Sequence, residues 1–226
     1  MRITILTLFP ELFNNFLKTS IIKQNITDKV VDIEVVNFRS FSKDKRQRVD
    51  DTPYGGGGGM VLCLQPIVDA IRFYKQPSTK VVLLSPQGKI FNQACAKKLS
   101  KCQHLIIICG RYEGFDERIL NYVDQVISIG DYVLNGGEIP AMLIAETIIR
   151  LLPNAISKES LISESFNDNL LDHSVYTKPA KFEGHEVPSI LLSGNHKKID
   201  EFRHNEKINK TKQIRPDLFK KYKKQK

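Results

Sequence analysis

The residues with the most chemical scope stand in three loops, each following an apolar strand and preceding a helical pattern. Lys80 to Leu84 runs into Ser85-Pro86-Gln87-Gly88, and His104 to Cys109 runs into Gly110-Arg111-Tyr112-Glu113-Gly114. Gln125 to Ile129 runs into Gly130-Asp131-Tyr132-Val133-Leu134-Asn135-Gly136-Gly137-Glu138. An open α/β sheet binds ligands outside the C-terminal ends of its strands. Glycine there lets backbone come close to whatever is bound. Three such loops describe one composite pocket, able to hold a ligand by backbone groups and apolar walls.

A fourth segment, Pro53-Tyr54-Gly55-Gly56-Gly57-Gly58-Gly59-Met60, lies after Asp50-Asp51 and a basic cluster of Arg39, Lys43, Lys45, Arg46 and Arg48. It reads either as a flexible linker or as a binding loop whose bare backbone admits a flat base or a phosphate. Other chemistries lack their signatures. There is no G-x-G-x-x-G after the first strand, and Gly88-Lys89 lacks the upstream glycine of a P-loop, which disfavours dinucleotide and nucleotide-triphosphate sites. Cys63, Cys95, Cys102 and Cys109 form no C-x-x-C pair. They read as reduced, partly buried thiols, and the histidines fall outside zinc-ligand spacing relative to them.

These loops need a scaffold, and the pattern supplies one. Arg2 to Leu8 and Asp32 to Phe38 read as strands, with Pro10 opening a helix between them. Residues 39–60 form a polar loop, Met60-Val61-Leu62 reads as an apolar helix start, and a helix is expected near Gln65 to Tyr74. Strand and helix alternate from Lys80 to Leu152, which implies an α/β fold with a parallel sheet and helices on its faces. Near Pro153 the character changes. We expect a first domain over 1–153, a polar linker over 154–169, and a short basic helical domain over 170–226, with helices around Ser189 to Arg203 and Pro216 to Lys224.

The 226 residues are 41% hydrophobic, and no run approaches a membrane span. The first residues lack a signal-peptide layout, so a cytoplasmic location is the default. The net charge of +9 is concentrated at the end, where residues 196–226 carry twelve Lys and Arg against four Asp and Glu. That stretch is either a solvated tail or a phosphate-contacting surface.

Taken in order, several motifs resemble one family. They are Leu8-Phe9-Pro10-Glu11, Val49-Asp50-Asp51, Pro53-Tyr54-Gly55-Gly56-Gly57, Leu84-Ser85-Pro86-Gln87-Gly88 and Cys109-Gly110-Arg111-Tyr112-Glu113-Gly114. Ser128-Ile129-Gly130-Asp131-Tyr132-Val133-Leu134, Gly136-Gly137-Glu138-Ile139-Pro140-Ala141-Met142, Leu170-Leu171-Asp172 and Tyr176-Thr177 come after them. The ordered set, spanning residues 1 to about 216, is similar to the bacterial tRNA (guanine-N1)-methyltransferases that modify guanine at tRNA position 37. The resemblance implies a homodimer with its site at the subunit interface. It also implies a trefoil-knotted methyltransferase domain of the SPOUT type, a topology that sequence pattern alone would not suggest.

By motif match the resemblance assigns S-adenosylmethionine contacts to Leu84, Ser85 and Pro86 in the first loop and Gly110 in the second. In the third they fall on Ile129, Gly130, Asp131, Tyr132, Val133, Leu134, Gly136, Gly137 and Pro140. It implies a general base at Glu164, where the family more often has Asp, with Asp168 as competitor. It places Arg150 at guanine O6, whereas spacing alone gives an i, i+4 ion pair with Glu146. Asp50, Tyr54, Gly59, Tyr112 and Glu113 fall near the tRNA substrate, with Glu113 contacting guanine or a magnesium ion. A salt bridge between Glu113 and Arg111 is the plain alternative. The basic C-terminal region would grip the anticodon stem-loop. A non-catalytic RNA-binding protein with the same fold is the rival reading.

Overall fold

The computed structural model describes residues 1–157 and 164–224. They form two compact units, Met1–Ile156 and Ser157–Lys226. In the first unit the strands are β1 (Arg2–Thr7), β2 (Asp32–Asn37), β3 (Asp50–Asp51), β4 (Val61–Leu62), β5 (Thr79–Ile90), β6 (His104–Ile108) and β7 (Gln125–Ser128). Its α-helices are α1 (Asn14–Lys18), α2 (Ser20–Thr27), α3 (Leu64–Tyr74), α4 (Gln93–Leu99) and α5 (Glu138–Ile149).

Five strands form one sheet in the order β2-β1-β6-β5-β7, and every pairing is parallel. A parallel sheet is covered on both faces, which is why β5 and β6 in its middle carry continuous apolar runs, whereas the edge strand β2 (Asp32-Ile33-Glu34-Val35-Val36-Asn37) mixes in polar residues. The period of two then sorts residues between two cores. Leu105 and Ile107 of β6 pack with Ile3, Ile5, Phe13 and the α5 residues Ile144 and Ile148. Ile106 and Ile108 point the other way, with Leu6, Phe38 and the α3 residues Ile67 and Ile71.

β5 carries the main irregularity. Leu84 pairs with Ile127, and so does Lys89, so residues 85–88 leave the sheet and return to the same neighbour. Gly88 is forced there, since a Cβ on it would stand 2.5 Å from the backbone of Ile127.

Two local expectations fail. Met60-Val61-Leu62 does not start a helix, because Val61 and Leu62 pair with Asp51 and Asp50 across the glycine run, and α3 begins at Leu64. Pro10 opens a 3-10 turn, Pro10–Phe13, before α1.

The second unit holds a hairpin of β8 (Lys181–Phe182) and β9 (His185–Glu186), then α6 (His196–Ile214) and α7 (Pro216–Lys223). The hairpin turns at Glu183 and Gly184, both at positive φ (48° and 86°), the backbone that a two-residue primed turn requires. The helix expected over 189–203 is displaced. Ser189–Leu192 is a 3-10 turn, and α6 starts after Asn195, whose side chain caps it by accepting from the Lys198 backbone N–H at 3.2 Å.

The expected linker includes residues 158–163, which lie outside the described residues. Its end is a turn in which the Phe166 N–H donates to the Leu170 carbonyl at 2.8 Å. That turn is tied to the next segment, because Ser165 Oγ accepts from Asp172 N at 2.9 Å. Thr211 Oγ1 of α6 accepts from Leu171 N at 2.8 Å, and Lys207 Nζ lies 3.0 Å from Asp172 Oδ1.

Candidate active site

The three strand-end loops meet around one cavity of about 460 Å³ in the first unit. Leu84, Ser85 and Pro86 line it from the excursion of β5, and Gly110, Tyr112 and Glu113 from the loop after β6. Ile129, Gly130, Tyr132, Val133, Leu134, Gly136 and Gly137 line it from the loop after β7, with Pro140 from α5. Asp131 does not line it. Arg111, Phe115 and Leu120 do, and sequence reasoning did not count them among binding residues. Their signal was present in their place within or just after the second loop.

Glycine sets how closely these loops approach. The Gly137 N–H donates to the Gly110 carbonyl at 2.9 Å. Gly130 stands at φ +147°, and a Cβ there would lie 2.5 Å from the Tyr132 ring, whose hydroxyl donates to the Ile129 carbonyl at 3.0 Å. The third loop is thus folded back on itself, which leaves Val133 87% exposed at its tip.

Next to the lining residues Gly137 and Arg111 stands a buried carboxylate that does not itself line the cavity. Glu138, 2% exposed, accepts from Thr7 Oγ1 at 2.7 Å through Oε1. Its Oε2 lies 3.0 Å from Arg111 Nε, an ion contact that is not aligned as a hydrogen bond. Arg111 therefore turns to Glu138, and the plain alternative of an Arg111–Glu113 bridge is not what forms. Its guanidinium lies over the Phe9 ring, 4.3 Å from the centroid. The thiol of Cys109 is fully buried here, and burial pushes its pKa well above the ordinary range, with Glu138 adding to the effect and Arg111 opposing it.

The glycine run docks on the second loop. Glu113 N donates to Met60 O at 3.0 Å, Leu62 N to Gly114 O at 2.9 Å, and Asp116 N to Leu62 O at 3.2 Å. A Cβ on Gly59 would stand 2.5 Å from Glu113 Cγ. Asp50 and Gly59 do not line the cavity, but Gly59 lies against Glu113, which does, and Asp50 pairs with Leu62, whose N–H donates to the Gly114 carbonyl. Tyr54 points away from the protein, fully exposed.

The two residues expected to act on the reacting atoms lie elsewhere. Arg150 caps the C-terminus of α5, its backbone N–H donating to Glu146 O at 3.1 Å. Glu164 belongs to the second unit, where it lines a separate cavity of about 300 Å³ with Asp168, His173, Asp200, Arg203 and His204.

Comparison with known proteins gives this arrangement a family. The family model for tRNA (guanine-1)-methyltransferase TrmD matches residues 1–221. A tRNA (guanine-N(1)-)-methyltransferase of Malacoplasma penetrans is 62% identical over 222 residues, covering 98% of each chain. Those of Ureaplasma urealyticum and Mycoplasma genitalium are 54% and 52% identical, each over 98% of this chain and 98% and 96% of their own. No described helix is long and apolar enough to cross a membrane. A family model matching nearly the whole chain, and relatives this similar across their full length, place the protein in the tRNA (guanine-1)-methyltransferase TrmD family.

Proposed function

We propose that this chain methylates N1 of guanine at position 37 of tRNA, using S-adenosylmethionine bound in the first unit, as a cytoplasmic homodimer. Family membership gives the reaction as methyl transfer to guanine N1 of tRNA. The convergence of three glycine-bearing loops on one cavity carries the cofactor reading.

The residues present fit the cofactor. About 460 Å³ lies within the range of a small-ligand site. Leu84, Ile129, Leu134 and Pro140 offer apolar walls for an adenine ring, and the backbone of Gly110, Gly130 and Gly136 offers polar groups for its edge. Bound there, S-adenosylmethionine supplies an electrophilic methyl group on a sulfonium. The excursion of residues 85–88 and the close packing of the two later loops are the features that would be the threaded, knotted part of the fold. Glu113 and Glu117 are the carboxylates that line the cavity. A magnesium ion held at Glu113 would complete its shell with water and substrate.

Guanine N1–H is a weak acid, so transfer needs a base at N1 and a positive group at O6, where charge accumulates. Glu164 takes the N1 proton, and Arg150 donates to O6. Arg150 ends a helix that begins at the cavity, ~18 Å along the axis from Glu138 by the helical rise. That span favours a dimer in which the Arg150 of one protomer serves the cavity of its partner. The outer face of α5 fits this reading, since Ile139 and Leu143 are 63% and 40% exposed one turn apart. The second unit, with α6 and α7, supplies the basic surface for the anticodon stem-loop.

Transfer of label from S-adenosylmethionine to transcripts carrying guanine or adenine at position 37 tests this. Label should reach the first transcript alone and be lost in Glu164→Gln, with tRNA binding retained. Equal labelling of both would sink the position-37 reading. An unchanged rate in Glu164→Gln would move the base to Asp168.

A further inference from the structure

We infer that Glu138 is a positioning residue for the methyl-donor loops, using one buried carboxylate to fix three chain segments at one junction. The inference rests on the cofactor reading of that cavity.

The three segments are the end of β1, the loop after β6 and the loop before α5. Each meets Glu138 or the arginine it holds. Thr7 Oγ1 donates to Glu138 Oε1 at 2.7 Å while accepting from Phe9 N at 3.0 Å, which sets the path of the chain leaving β1. Arg111 Nε faces Glu138 Oε2 at 3.0 Å, its Nη1 reaches the Asn135 carbonyl at 3.4 Å, and its plane lies on Phe9. Gly136 is the space in which the pair fits, because a Cβ there would stand 2.5 Å from Glu138 Oε2.

Burying a carboxylate is costly unless its charge is matched, and removing one partner leaves the other uncompensated. The Glu138 side chain is 3% exposed and that of Arg111 is 21% exposed, so both lose most of their hydration. A purely packed junction would need no charge at this place. What the pair adds is direction. It holds Arg111, itself part of the cavity lining, over the Phe9 ring, and so fixes the spacing between Gly110 and Gly136 that the ligand must fit. Arg111 is thereby a buttress for the loops that line the cavity.

Steady-state kinetics of the full chain, with S-adenosylmethionine affinity and tRNA affinity measured separately, tests this. Glu138→Gln keeps the shape and the Thr7 contact but removes the charge facing Arg111. It should raise KM for S-adenosylmethionine about tenfold, change kcat by less than about threefold, and leave tRNA affinity unchanged. In Glu138→Gln/Arg111→Gln the two effects should not multiply, since the residues act as a unit. Should Glu138→Gln not fold, Thr7→Val keeps the ion pair and should raise the same KM about threefold. A lowered Tm with unchanged cofactor KM, or single effects that multiply, would overturn the inference. Failure of the unmodified protein to bind S-adenosylmethionine would instead overturn the cofactor reading, and this inference with it.

Discussion

Gly137 lies against Cys109 so closely that a Cβ added to it would stand 2.7 Å from the Cys109 Cα and 2.8 Å from the Gly110 nitrogen. Backbone faces backbone here, so no side chain can swing aside to relieve the clash. Gly137→Ala must instead separate the loop before α5 from the loop after β6, breaking the 2.9 Å bond from Gly137 N to Gly110 O. The expected cost is about 1–3 kcal/mol of stability, as for other overpacked sites. A loss of S-adenosylmethionine affinity should accompany it. Thermal unfolding and cofactor titration on the same variant check both. Gly57→Ala is the control for crowding, because nothing lies within 4 Å of that position, though its φ of +125° still makes it strained.

His104 predicts a pH dependence of stability. It is 2% exposed at the start of β6, with Nε2 at 3.0 Å from Thr4 Oγ1 and Nδ1 at 2.8 Å from Thr79 Oγ1. Thr79 Oγ1 accepts from Gln76 N at 2.8 Å and can donate to the ring. A neutral imidazole, with one nitrogen donating and one accepting, suits both hydroxyls. Burial lowers its pKa, Arg2 lowers it further, and Glu34 and Asp32 pull the other way. The folded value thus lies below the unfolded value of about 6.5, and the unfolded chain binds the extra proton first. Stability from this group is fully present above about pH 6.5 and falls as pH drops toward the folded value. Urea unfolding at pH 7.5 and 5.5 should show the loss, and His104→Gln should reduce it. Equal pH slopes in the two proteins would assign the acid limb to other groups.

How much of this is legible in the sequence depends on the range of the interactions involved. The five sheet strands can be read because each carries a short apolar run or an alternating pattern, a property of neighbours along the chain. Leu62 misleads because its strand exists only through pairing with Asp50, across a glycine run that carries no periodicity. The start of α6 is misplaced for a different reason: Ile190, Leu191 and Leu192 imitate a helical face, while the stop at Gly194 and the cap at Asn195 decide the boundary. Three loops converging on a pocket come from a general rule about strand ends. That Glu138 ties the chain segments behind those loops together does not, because its partner Thr7 lies 131 residues away, and a Glu at a helix start looks like ordinary dipole compensation.

The turn carrying Glu164 is held to α6 through Asp172, and this gives a prediction that separates chemistry from cofactor binding. Burial pushes the Asp172 carboxyl up, but Lys207, the His173 backbone N–H and the His173 ring outweigh it, so its pKa lies below the ordinary value. Lys207→Met removes the largest of these opposing contributions and loosens the segment after Ser165. We expect kcat to fall about tenfold while S-adenosylmethionine affinity, which the proposed site places in the other unit, is unchanged. Single-turnover kinetics beside cofactor titration distinguishes this from general unfolding.

Lys220 and Lys221 of α7 are exposed and belong to the basic end of the chain. If that surface neutralises tRNA phosphates, Lys220→Glu/Lys221→Glu should weaken tRNA binding and flatten its salt dependence, by about one in log–log slope for each phosphate no longer neutralised. Filter binding across a range of salt from about 50 to 300 mM reads both quantities. A weakened affinity with an unchanged slope would assign these lysines a role in folding α7 and not in phosphate contact.

The outer face of α5 provides the last test, since Ile139 and Leu143 leave one apolar turn uncovered at the helix whose first residues line the cavity. A helix apolar on every side is normally covered on every side. The proposed cover is the same helix region of a second copy, which would also bring a partner's Arg150 toward the cavity. Ile139→Asp/Leu143→Asp places two charges there without touching the inward residues Ile144 and Ile148. Sedimentation should convert from dimer to monomer, and methyl transfer should fall by at least about a hundredfold, since the arginine proposed to stabilise charge at O6 no longer reaches the substrate. Full transfer by a protein that sediments as a monomer would place a complete site within one chain, and Arg150 would then act on its own cavity or not on the reaction at all.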